Sequence, residues 1–301
     1  MQLHPDNLRP KLHIANTLLR NALAELFATC LLIFIGLSIV AQYLLKKGEL
    51  NAWIGVNFGW GFAITLSVMT AAQLSGGHLN PAISLMMFTT NKICAKTFVV
   101  YCIAQTIGAF LGAMLTYFFY IDAINFYDGG VRAVQGENAT AGIFSTYPPE
   151  YLSISGAYLD QIVGTAMLCF LASVVTDPRN KLPEHLHALF FGFIVITIGT
   201  SFGMHLGYPI NPARDFGPRL FTLFIYGSEV FRYPYSSYFL VPIIGPLLGA
   251  LLGTGLYHVF IGAQIPDLID GKQRVKRVEY ELCDRADITE KSLELAKDSS
   301  E

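Results

Sequence analysis

From Asn51 to Asn91, and again from His185 to Ala213, this chain contains no Asp, Glu, Lys or Arg. The first stretch is too long for one bilayer-crossing helix, which takes about 20 mostly apolar residues, and Ser75-Gly76-Gly77 interrupts it. Each stretch holds the same triplet, Asn80-Pro81-Ala82 in one and Asn211-Pro212-Ala213 in the other. Pro has its φ pre-set for a first helical turn, and Asn is among the best N-caps. Both triplets therefore read as helix starts. If the Asn carbonyl caps its own helix, its side-chain NH2 is left to donate elsewhere. Two short helices that begin inside a membrane, each with such a donor at its positive end, make a fixed polar site for a small neutral molecule.

Composition agrees with a membrane setting. The chain is 53% hydrophobic and 14% charged, where a soluble domain carries about 25% charged residues. A net charge of −2 argues against a nucleic-acid partner. Cys30, Cys94, Cys102, Cys169 and Cys283 are scattered without metal-ligand spacing and read as reduced, buried thiols. No cofactor or metal is implied. Residues 1–19 are polar, with Arg9 and Lys11, and no cleavable signal is apparent.

Six spans follow. The first lies between Arg20 and Lys46, where Glu25 is the only charge, and the second covers about 53–73. A re-entrant loop and the half-helix opened by Asn80 come next. Residues 98–120 and 155–176 form spans three and four, the latter with Asp160 as its only charge. A fifth span, a loop and the half-helix opened by Asn211 occupy the second uncharged stretch, and 236–262 supply the sixth span. This predicts a 1–19 terminal segment and a 20–262 channel domain with repeats over about 20–120 and 155–262. A polar 263–301 tail follows, expected to be disordered, with Lys272, Arg274, Lys276 and Arg277 near anionic headgroups.

The halves repeat. Glu25-x-x-Ala28-Thr29 matches Gln161-x-x-Gly164-Thr165, and Gly108-x-x-x-Gly112 matches Gly245-x-x-x-Gly249. The glycine spacings suit close helix packing. Three spans per half is an odd number, so the second half enters the membrane inverted. The half-helices then meet N-terminus to N-terminus near the midplane, where irregular backbone is tolerated only if buried in protein or lining a wet cavity. Arg9, Lys11, Arg20, Lys92, Lys96, Arg179 and Lys181 fall on one side, which predicts cytoplasmic termini; Lys46 and Lys47 run against the trend. The 121–150 connection is then extracellular, and Asn138-Ala139-Thr140 within it is a glycosylation sequon.

With both boxes, Gly142-Ile143-Phe144-Ser145-Thr146-Tyr147-Pro148 and Asn211 through Arg219 in view, the chain resembles the major intrinsic proteins, specifically animal aquaglyceroporins, from about residue 20 to 262. The resemblance implies an all-α membrane protein, with six transmembrane helices and two half-helices in a right-handed bundle. It also implies a homotetramer in the plasma membrane that passes water, glycerol and other small neutral solutes but not protons or ions. It assigns the central constriction to Asn80 and Asn211 and the outer filter to Trp60, Gly199, Tyr208 and Arg214. Water-selective members place a His where Gly199 stands, and glycerol-conducting members a small residue. Trp60 and Tyr208 would take the carbon backbone of a polyol while Arg214 donates to its hydroxyls. Asp215 marks the same branch, with Arg219 within i,i+4 reach; Pro242 and Ile243 mark it more weakly. Trp60 is bulkier than the Phe of several animal relatives.

Several roles stay open. Glu25 either braces the re-entrant loop or contacts solute. Gln161 or the preceding Asp160 takes the matching role in the second half. His78 and His205 are candidate pH sensors or plain loop residues. A water-only channel is the nearest rival reading. A secondary transporter would want ionisable groups beside the boxes, and an enzyme would want a nucleophile or metal partner near His78.

Overall fold

The computed structural model describes residues 5–266; the tail with Cys283 and the basic cluster from Lys272 to Arg277 lies outside the described residues. A short helix, α1 (Pro5–Leu12), precedes α2 (Thr17–Leu45), whose start is capped by Asn16 accepting from Leu19 N at 3.0 Å. Helix α3 (Trp53–Ser75) returns to the side from which α2 set out and stops at Gly76, whose φ of 90° suits glycine. The chain then folds back inward, and α4 (Pro81–Thr89) leaves from the interior. Helix α5 (Ala95–Asp128) crosses to the far side.

Helix α6 (Ile154–Thr176), capped by Ser153, and α7 (His187–Phe202) repeat the pattern, followed by the half-helix α8 (Pro212–Tyr226). A short α9 (Glu229–Arg232) leads to α10 (Val241–Phe260). Among the described residues six helices are long and apolar enough to cross a membrane, and there is no strand.

The third span overruns the expected end at 120 by continuing to Asp128. The charge at Asp122 suggests a loop, yet Ile124 is fully buried and keeps one face of the helix packed. The helix ends where Gly129 and Gly130 adopt φ values of 65° and 82°. So the far-side connection is shorter than 121–150.

Glycines decide how closely the halves pack. A Cβ on Gly108 would strike the Leu26 carbonyl oxygen, and one on Gly112 would lie 2.6 Å from Cys30 O, which fastens α5 to α2. In the second half, a Cβ on Gly249 would lie 2.5 Å from Ile162 O and one on Gly253 would strike Ala166 O, which fastens α10 to α6. Between the halves, a Cβ on Gly61 or Gly192 would lie 2.8 or 2.7 Å from the other's carbonyl oxygen where α3 crosses α7. With no hydrophobic drive between helices in lipid, this backbone-to-backbone contact supplies the van der Waals attraction.

Candidate functional site

The two half-helices start against each other. Asn80 accepts from Ala82 N at 2.8 Å through its side-chain oxygen, and Asn211 accepts from Ala213 N and Arg214 N at 3.0 and 3.2 Å. The amides are not wholly free. Asn80 Nδ2 donates to Ile210 O at 3.0 Å, and Asn211 Nδ2 donates to Leu79 O at 2.9 Å. Each residue just before a box thus offers its carbonyl to the other box. Leu79 and Ile210 hold φ values of 53° and 35°, a left-handed conformation costly for branched side chains. One amide hydrogen of each Asn is committed to this cross-brace; the other is left for the lumen.

The lumen is a cavity of about 730 Å³. It runs from Lys92, Glu184, His185 and His187, on the side of the chain ends, past Asn80 and Asn211 to Trp60, Tyr208 and Arg214. Ile64, Val68, Met86, Leu168, Phe191 and Val195 supply apolar lining, and Gly76, Gly77, His78, Gly207 and Pro209, from the segments that precede the boxes, line it as well.

Glu25 lies fully buried beneath the first re-entrant loop and does not line the cavity. Its Oε1 accepts from Ser75 Oγ at 2.6 Å and His78 N at 2.8 Å; its Oε2 accepts from Leu79 N at 2.7 Å and Gln105 Nε2 at 2.9 Å. The second half is held more lightly. Gln161 Oε1 accepts from Ile210 N at 3.0 Å, and its Nε2 donates to Asp160 Oδ2 at 2.9 Å. Asp160 therefore orients Gln161, and Gln161 touches the loop.

At the outer end Arg214 Nη1 donates to Phe144 O at 2.8 Å, and its guanidinium lies 4.9 Å from the Trp60 ring centroid. Gly199 does not line the cavity. A Cβ there would lie 2.6 Å from Tyr208 Cζ, so the space that glycine leaves is filled by the Tyr208 ring. The family resemblance places Gly199 on the wall; Tyr208, nine residues further on, covers it.

Asp215 and Arg219 also stand behind the lumen. Asp215 Oδ2 accepts from Thr146 N and Oγ1 at 2.8 and 2.7 Å, and Oδ1 accepts from Arg219 Nε at 2.9 Å. Arg219 further donates to Val230 O at 2.6 Å and Thr146 O at 2.7 Å. The pair pins the far-side loop whose Phe144 carbonyl holds Arg214. Phe144 and Thr146 fall in the stretch marked in the sequence, but nothing local indicates which atoms they satisfy.

The remaining candidates separate. His78 lines the cavity, with Nδ1 3.1 Å from Ser84 Oγ. His205 is exposed, away from the cavity, with Nδ1 3.4 Å from Tyr151 OH. Asn138 is exposed, whereas Thr140 of the same sequon is buried, donating to Asp128 Oδ2 at 3.0 Å and lying 2.9 Å from Tyr226 OH. His187 and Glu184 at the mouth carry no sequence signal that marks them. Among the described residues no cluster of His, Cys, Asp and Glu suited to a metal ion occurs.

Two inverted three-span halves around a capped, cavity-lining pair of half-helices define a membrane channel of the inverted-repeat class. The chain belongs to the major intrinsic protein family, whose family model matches residues 13–258. It is 36% identical to Aquaporin-9 of Homo sapiens over 263 residues, covering 87% of this chain and 89% of that one. It is 40% identical to Aquaglyceroporin-2 of Rhizophagus irregularis over 236 residues, covering 78% and 74% respectively. The solved aquaglyceroporin from Plasmodium falciparum superposes with a TM-score of 0.75 at 28% identity, covering 82% of this chain and 98% of that one.

Proposed function

We propose that the chain is a passive channel for water, glycerol and other small uncharged solutes, and that it excludes protons and ions. The observation that carries this is the single cavity connecting the mouth at Lys92 with Trp60 and Arg214 by way of both box asparagines. A hydroxyl entering it must exchange bulk water for fixed partners. The Asn80 and Asn211 amides supply donors at the centre, and the apolar wall accommodates CH groups. Two facing helix starts, each with roughly half a positive charge, together with Arg214 oppose any cation. The aquaglyceroporin relatives support glycerol as a permeant.

Within this reading Trp60, Tyr208 and Arg214 form the selectivity filter, with Gly199 acting through Tyr208. Glu25 and Gln161 brace the loops, and Asp215 with Arg219 braces the outer wall. His78 is the better placed of the two candidate pH sensors, since it faces the cavity. A glycerol flux unchanged by His78→Ala from about pH 5.5 to 7.5 removes that role. The chain works as a homotetramer in the plasma membrane, with both termini cytoplasmic and Asn138 open to glycosylation.

Stopped-flow light scattering of proteoliposomes tests the function. Water and glycerol should both cross at rates linear in their gradients and independent of any ion gradient. Impermeability to glycerol would leave the water-selective reading in its place. Saturable uptake that depends on an ion gradient would indicate a secondary transporter.

A further inference from the structure

Tyr208 reaches the lumen from a seat built by two helices. On α3, Trp53 and Asn57 stand one turn apart. Trp53 meets the Tyr208 ring edge-on, with centroids 6.1 Å apart, and Asn57 Oδ1 accepts from Tyr208 OH at 2.7 Å. Gly199 on α7 and Gly203, the residue that closes that helix, stand four residues apart as well. Cβ atoms there would lie 2.6 Å from Tyr208 Cζ and 3.1 Å from Tyr208 Cδ1. The ring is thus clamped between α3 and α7, on a backbone whose φ of 45° is held left-handed. Asn57 is itself 1% exposed and does not line the cavity.

We infer that Asn57 is a positioning residue for solute selectivity, because it holds the Tyr208 hydroxyl away from the lumen so that the filter presents an aromatic face. The inference rests on the filter reading above. The physical reason is the asymmetry of buried hydrogen bonds. A buried hydroxyl deprived of its acceptor carries the full desolvation penalty, whereas replacing both partners by apolar groups is nearly neutral. Without Asn57 the hydroxyl is left to seek a partner in the cavity that Tyr208 lines. It then narrows the filter and makes polar the wall that takes CH groups. Water, which needs no apolar wall, is affected less than glycerol.

The test is the ratio of glycerol to water permeability in proteoliposomes of the full-length protein. Asn57→Leu is expected to lower that ratio by about tenfold. Added to Tyr208→Phe, the same substitution should change the ratio by less than about twofold, because no hydroxyl remains to be placed. Asn57→Asp, which keeps an acceptor oxygen, should retain most of the wild-type ratio. If Asn57→Leu does not reach the membrane, Asn57→Val carries the same comparison. Gly199→Ala checks the filter itself: its Cβ crowds the Tyr208 ring at 2.6 Å and Asn57 Oδ1 at 2.7 Å, and since the clash with the ring persists without a hydroxyl, Tyr208→Phe should not rescue it. A normal ratio in Asn57→Leu, or an equal loss in the Tyr208→Phe background, overturns the inference while Gly199→Ala still alters selectivity. If Gly199→Ala too leaves the ratio unchanged, the filter reading itself fails.

Discussion

The side-chain amide of Asn80 donates to the carbonyl of Ile210, 130 residues further on, and Asn211 returns the bond to Leu79. The pore centre is therefore a cross-brace between the two inverted halves as well as a source of donors. Capping, cross-bracing and solute contact all fall on the same pair of side chains, which separates the consequences of changing them.

Asn80→Asp keeps an oxygen able to cap Ala82 N but leaves Ile210 O without its donor. It also places a negative charge where two positive helix ends, each worth roughly half a charge, face one another. The cation barrier should fall, with an imposed pH gradient across proteoliposomes decaying about tenfold faster than in wild type. Pyranine fluorescence inside the vesicles reads this directly. A gradient as durable as the wild type's would mean that the barrier resides elsewhere, at Arg214.

The two loops should differ in how much they depend on their braces. Glu25 accepts four hydrogen bonds, two on each oxygen, while Gln161 accepts one from Ile210 N. In Glu25→Gln one oxygen becomes an NH2 that faces two donors, at a cost of about 3 kcal/mol. Gln161→Met removes one neutral bond, worth about 1 kcal/mol. Thermal unfolding of the purified protein should show the larger drop for Glu25→Gln. Equal drops would contradict the asymmetry.

Asp215 and Arg219 form a buried ion pair at 2.8 Å, with both side chains essentially inaccessible to solvent. Removing one partner of such a pair costs about 3–5 kcal/mol, since the other charge stays buried without its partner. Asp215→Asn should accordingly lower the thermal midpoint, and it should also reduce glycerol flux because the Thr146 segment that carries Phe144 loses its anchor. Asp215→Asn with Arg219→Met should regain part of the stability, since no charge is left unpaired although Val230 O and Thr146 O lose their donor, without regaining flux. Recovery of both would show that the pair is purely a stability element.

What the sequence makes legible here is local or periodic. Charge-free runs bound the spans, Asn-Pro marks the half-helix starts, and Glu25 stands out as the lone charge between Arg20 and Lys46. What it conceals depends on contacts through space. Gly199 reads as an open wall until Tyr208 is seen to fill it, and Asn57, the anchor of that ring, is 151 residues from it. Asn57 did leave a trace, an amide inside a charge-free span, but no spacing rule names its partner. The overrun of α5 to Asp128 was hidden for the opposite reason. Asp122 and Asn125 read as loop, while the burial of Ile124 and the pairing of Asp128 with Arg132 at 2.8 Å keep the segment helical.

The seating of Tyr208 changes what Gly199→His should do. A His at this position cannot simply narrow a vacant pore, because its Cβ meets Tyr208 Cζ at 2.6 Å and pushes the ring inward. Gly199→His alone should therefore reduce water as well as glycerol. Adding Tyr208→Ala vacates the slot, and water permeability should return while glycerol stays about tenfold below wild type. Stopped-flow scattering on the same vesicle preparations distinguishes the cases. Full water conduction in Gly199→His alone would show that the ring has another place to go.

On the side of the chain ends, Asp177 joins the α6–α7 connection to α10. It accepts from Arg179 N and Nε at 2.9 Å on Oδ1, and from Arg179 Nη2 at 2.6 Å and Tyr257 OH at 2.8 Å on Oδ2. Burial alone would raise the carboxyl, but the hydrogen bonds and charge from Arg179, with help from Tyr257, outweigh it and hold the group at about 2. A carboxyl depressed in the folded state stabilises the fold fully above the unfolded value of about 3.9, and the gain is lost as pH falls through the folded value. The difference in thermal midpoint between wild type and Asp177→Asn should thus be constant from about pH 8 to pH 5 and close between about pH 4 and pH 2. Unfolding followed by tryptophan fluorescence at each pH measures it. A gap that closes instead near neutral pH would show that this carboxylate is not the group responsible.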